Sequence, residues 1–214
     1  MFVASQLDRL LDLGLAELAG VDEDQLVESF GGDLLCTTGL LAVHPSLVPA
    51  ARLTALLERG GKTGFVVPDM TDLAAFGPIP QVEVPETPLY VVTGVERGDD
   101  LRDVSPDEAL PRILERGRTP LTLTEGISWL LQQPAVLEPN HCFMTIGSRK
   151  PKGAGYDKRV PAIWISGGAP RDGGPERDGA PKVGWCWAGN RHTWLGIASA
   201  AGRLARAPEP APAG

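Results

Sequence analysis

The sequence predicts an α+β fold: a helical N-terminal part, a mixed middle, and a C-terminal antiparallel sheet packed by a final helix. Three observations predict it. Leucines recur at helical spacing in the first sixty residues, and two capping boxes punctuate the middle. Three apolar, β-branched segments then close the chain between loops of Gly, Pro and charge.

In "SQLDRLLDLGLAELAG", Leu7, Leu10, Leu11, Leu15 and Leu18 share a helical face, with Ser5 as candidate N-cap and Gly20 as stop. "VDEDQLVESFGG" repeats the pattern, capped by Asp22 and ended by Gly31. A third helix is expected over 46–59, where Leu53, Leu56 and Leu57 align and Pro49 fits only the first turn. Segments 64–68 and 88–95 read as strands, with a short helix in "DMTDLAAFG" and an extended, proline-rich stretch between them. Ser105, Pro106 and Glu108 start one helix; Thr122 with Glu125 starts another, which ends before Pro134. Strands are expected over 142–147, 161–168 and 183–189, joined by solvated loops within 148–160 and 169–182. The final helix is expected over 193–204, where Gly196, Ala200 and Ala201 permit close packing. Residues 1–206 form one expected globular domain, with 1–60 as a candidate helical subdomain, and 207–214 an expected disordered tail.

At 43% hydrophobic and 22% charged residues, the 214-residue chain can build a core without staples. No apolar run reaches the length of a membrane span, and the odd cysteine count fits free thiols in a reducing cytoplasm. Residues 1–140 carry 9 Lys and Arg against 22 Asp and Glu, whereas 141–194 carry 9 against 4. The acidic portion argues against nucleic acid as a partner.

Chemistry concentrates in "GWCWAGNRHTW" (184–194), which holds three of the five tryptophans. "GGKTG" (60–64) lacks the leading glycine and the strand–loop–helix order of a phosphate loop, and reads as a turn. His141, Cys142, Cys186 and His192 lack the spacing of a metal site. No metal and no cofactor is implied. Cys186, His192 and Asn190 are the residue types of a cysteine nucleophile, its base and an orienting amide, so they are the catalytic candidates. A thiol facing the core would instead be inert. Trp185 and Trp187 can close a core or, with Asn190, Arg191 and His192, form a binding platform. Arg149 leads a basic loop with Lys150, Lys152, Tyr156, Lys158 and Arg159 that can meet an anion.

"CFMTIGSR", "RVPAIWISGGAP" and the 184–194 block, with "SPDEALPRILERGRTPLTLTEGISWL", resemble an actinobacterial protein family of unknown function over most of residues 88–203. The loops around 150–158 and 170–180 are longer than is typical of that family. The resemblance implies a bacterial cytoplasmic protein and supplies no catalytic residue. Two functions therefore stay open. One is a non-catalytic binding module for a protein or small-molecule partner. The other is a small cysteine- or histidine-dependent hydrolase or transferase acting on an acyl or amide substrate. In either case "GWCWAG" is expected to be a central strand whose tryptophans close the core, and "GNRH" the turn that launches the final helix.

Overall fold

The computed structural model describes residues 2–206; the expected disordered tail, 207–214, lies outside them. The leucine-rich start forms α1 (Val3–Asp12) and α2 (Leu15–Ala19), divided at Gly14, whose φ of 80° breaks the predicted single helix. Ser5 does not cap: its hydroxyl donates to the carbonyl of Phe2. Asp22 does cap α3 (Glu23–Phe30), accepting from the N–H groups of Asp24 and Gln25. A short α4 (Gly32–Leu35) leads into β1 (Leu40–Val43).

The helix expected over 46–59 shrinks to α5 (Ala50–Thr54), entered through Pro49. Residues 58–59 pair instead with 62–63, turning through Gly60 and Gly61, both at positive φ. The "GGKTG" segment is thus a turn, as its flanks implied. Strands β2 (Phe65–Val66) and β3 (Leu89–Thr93) follow, then α6 (Pro106–Glu115) and α7 (Leu123–Gln132), each with the predicted capping box. The last third contributes β4 (Cys142–Met144), β5 (Arg159–Ile165), β6 (Pro181–Trp187), β7 (Leu195–Ile197) and β8 (Gly202–Leu204).

The α+β class holds, but the final helix does not exist: 195–204 is strand in three pieces. The small residues that looked like a helix surface serve close backbone crossings. A Cβ on Gly196 would stand 2.4 Å from the carbonyl oxygen of Arg97. The predicted antiparallel ribbon is present as β4–β5–β6, within a five-stranded sheet ordered β7–β4–β5–β6–β2. Its edges are parallel, β7 to β4 and β2 to β6, so the sheet is mixed. A second, antiparallel sheet is ordered β1–β3–β8.

Helix α7 lies between the two sheets, and all ten of its residues are buried. Toward the smaller sheet, Ser128 accepts from the N–H of Val43, and the Tyr90 hydroxyl donates to Glu125. Toward the larger one, Gly126 lets the strands approach: an added Cβ would meet Thr145 at 2.6 Å and Phe143 at 3.1 Å. Glu125 caps α7 by accepting from the N–H of Thr122, and its carboxylate also receives Arg203 of β8 at 2.6 and 2.8 Å. That ion pair is fully inside, at 0% and 4% exposure, and ties α7 to the smaller sheet through one carboxylate. The N-terminal helices join the same core, since Gln132 of α7 donates to the carbonyl of Gln6 and Arg9 to that of Leu131.

Candidate functional site

The candidate site is built on β6, which pairs with β5 along its whole length, from Pro181 opposite Ile165 to Trp187 opposite Arg159. Alternation divides the side chains between two faces. Lys182, Gly184 and Cys186 share one face with Trp164, whereas Val183, Trp185 and Trp187 share the other with Ile163. Strand β2 pairs only with Lys182 and Val183, so the rest of β6 borders a cavity of about 330 Å³ that both faces of the strand line. Trp164, Lys182, Trp185, Cys186, Trp187, Asn190, His192 and Trp194 line it, with Val67, Asp69, Arg171 and Asp172.

The walls are aromatic. Trp185 and Trp187 meet edge to face at 4.6 Å between centroids, Trp164 and Trp194 at 6.3 Å, and His192 and Trp194 at 5.5 Å. Gly184 is the residue that permits this arrangement, because a Cβ there would stand 2.6 Å from the ring of Trp164 and 3.1 Å from Val67. Of the two β6 tryptophans, Trp185 is half-buried and packs against the core as expected, whereas Trp187 does not: it is 47% exposed. The "GNRH" turn launches strand β7, not a helix.

The polar groups are set by a loop. Within 169–182, the short turn Pro170–Asp172 brings Asp172 under the strand, where the Lys182 ammonium donates to its carboxylate at 2.5 Å. Both side chains are nearly dry, at 3% and 4% exposure, and the ammonium also sits 4.7 Å from the centre of the Trp164 ring. Lys62 and Arg59 clamp the loop by donating to the carbonyls of Asp178 and Gly179. The loop expected to be wholly solvated thus carries a buried ion pair. A lysine in the otherwise apolar "PKVGWCW" was the sequence signal, and its partner lay ten residues away in a segment without apolar period.

The catalytic candidates come together without becoming a catalytic pair. Burial pushes the Cys186 thiol up to about 11, and among the described residues no hydrogen bond joins it to His192. Burial pulls the His192 imidazole down, so it is neutral at pH 7, and its Nε2 is enclosed without a hydrogen-bond partner. Asn190 is exposed at the rim. No cluster of three or more His, Cys, Asp or Glu side chains among the described residues is placed to hold a metal ion.

Two other candidates lie elsewhere. Arg191 is committed to α6, where it pairs with Glu108 and donates to the carbonyl of Asp103 at 3.0 Å. Arg149 lines a separate cavity with Tyr156 and Lys158. Other cations of the basic loop are paired with carboxylates. Lys150 and Arg159 both reach Asp72, at 2.7 and 2.6 Å, and their hydrogen bonds hold its carboxyl well below the usual range. Arg159 also donates to Asp157, lowering that carboxyl to about 2.

No curated protein and no solved structure is significantly similar to this chain. The model of one protein family, described as a family of unknown function (DUF5701), matches residues 9–206, most of the chain, and the chain belongs to that family.

Proposed function

We propose that the protein is a non-catalytic binding module that holds a small, flat molecule in the tryptophan-lined cavity beside β6. One observation carries this reading: four indole rings, the Lys182–Asp172 pair and an imidazole with an enclosed, unpartnered Nε2 line the same 330 Å³ space. That volume is at the small end of ligand pockets, and indole walls suit a planar ligand that offers one hydrogen bond to His192. The thiol supports binding over chemistry. A nucleophilic cysteine needs a lowered pKa and a base in contact, and Cys186 has a raised pKa and no such contact. The free thiols Cys36, Cys142 and Cys186 fit a reducing cytoplasm, and no helix among the described residues is long and apolar enough to cross a membrane. The hydrogen bonds from α7 to α1 support taking residues 1–206 as one domain.

Native mass spectrometry of the untagged protein, purified gently from its own cells, tests the reading together with tryptophan fluorescence. A discrete excess over the denatured mass is expected, and its ligand, added back, should change the fluorescence saturably. His192→Ala should weaken that response about tenfold, the value of a hydrogen bond in a water-poor site, with little change in melting temperature. Maleimide should label the exposed Cys36 readily and Cys186 slowly, because its raised pKa leaves little thiolate. Rapid native labelling of Cys186, or a bound molecule whose affinity ignores both His192→Ala and Trp185→Ala, would overturn the proposal.

A further inference from the structure

The second cavity is distinguished by an arginine whose charge is left without a close counter-ion. Among the ion-paired arginines of the described residues, five have side chains less than one-fifth exposed, and four of these meet a carboxylate closely. Arg97 reaches Asp99 at 2.7 Å, Arg118 reaches Glu96 at 3.2 Å, and Arg159 and Arg203 reach Asp72 and Glu125 at 2.6 Å. Arg149, only 11% exposed, has Asp107 at 3.8 Å, beyond hydrogen-bonding distance, and that carboxylate is 65% exposed to water. Its guanidinium donates once, to the carbonyl of Asp157 at 3.1 Å, and its Nε is buried without a partner. A guanidinium cannot shed its proton to escape this desolvation. Burial lowers its pKa, and the group stays charged. A buried, under-compensated cation is costly unless an anion joins it.

The surroundings specify the anion. Arg149 lines a cavity of about 370 Å³ with Lys158, and Tyr156 stacks near its guanidinium at 5.3 Å. Lys158 is exposed and makes no ion pair among the described residues. Two cations thus border the same space, while Ile79, Leu110 and Ile146 supply apolar wall. Inorganic phosphate would leave that wall unused. We propose that this cavity is a second binding site, for a small organic carboxylate with an apolar body, whose carboxylate takes Arg149 as its principal partner and Lys158 as its second. The carboxylate would accept from Nη1, the guanidinium nitrogen nearest Asp107, and displace that side chain, which solvent already surrounds. The site is separate from the tryptophan-lined cavity and does not depend on it.

The test uses the full chain, octanoate and benzoate as probes, inorganic phosphate as the contrast, and calorimetry with side-chain NMR of arginine Nε–H groups as readouts. Saturable binding of octanoate or benzoate is expected, with phosphate at least about tenfold weaker, and the Arg149 Nε–H resonance should move on binding. Arg149→Gln should weaken binding about tenfold or more, the value of a charge-assisted hydrogen bond, and Lys158→Ala about threefold, as for an exposed charge. Should Arg149→Gln fail to fold, the Lys158→Ala affinity and the Arg149 resonance of the unaltered protein carry the test. No saturable binding of either carboxylate, binding that leaves the Arg149 resonance in place, or phosphate binding as tightly as octanoate would overturn it.

Discussion

Glu125–Arg203, in the middle of the protein, and Lys182–Asp172, beside the tryptophan-lined cavity, are equally dry ion pairs with unequal surroundings. The Glu125 carboxylate accepts from Arg203, the Tyr90 hydroxyl and the Thr122 N–H, while Arg203 also donates to Thr119 and the Pro120 carbonyl. Asp172 accepts from Lys182 and from the Ser166 hydroxyl alone, and both members of its pair border open volume. The difference lies in how completely each charge is surrounded. A buried charge surrounded by donors on every side locks neighbouring elements together. One satisfied from a single side beside a cavity leaves room for something else to bind.

Removing one partner from each pair is the sharpest way to break this comparison. Arg203→Met should cost about 3–5 kcal/mol in denaturant unfolding, because it strands Glu125 between α7 and the smaller sheet with no access to water. Lys182→Met should cost less, about 1–3 kcal/mol, since the cavity lets solvent reach the Asp172 carboxylate. Equal losses would show that the two regions are alike after all. The smallest expected effect is a pH dependence. Burial lowers the folded pKa of His192 below the 6.5 of an unfolded chain, so the unfolded state binds the proton more readily. The stability contributed by neutral His192 is full above that unfolded value and is lost as pH falls through 6.5 toward the folded pKa. Melting temperature should therefore drop between pH 7 and 5, and drop less in His192→Gln. His44, whose pKa burial also lowers, should account for some of the drop that the variant retains.

The same contrast separates what was legible in the sequence from what was not. The two capping boxes, the Asp22 cap, the Gly60-Gly61 turn and the ribbon β4–β5–β6 were all predictable, because each depends on residues within a few positions or on strict alternation. The cluster of scarce residues in 184–194 also came together in space, since Trp185, Trp187, Asn190 and His192 line one cavity. Trp164, Trp194 and Lys182 were missed as members, as was Asp172. Two of these come from elements that pair with or fold over β6, and no local pattern announces them.

By itself, then, the chain determined its class, its capped helix starts and the segment that lines much of the candidate cavity, through caps, turns and apolar period. Tertiary structure decided the rest. It made 195–204 strand, because small residues there are demanded by the backbone at Arg97 and Gly98 and not by a helix packing face. It turned Arg191 toward Glu108, and left Arg149 short of a counter-ion. It also gave Lys182 its carboxylate, because the partner of a buried charge is chosen by which loop folds over the strand.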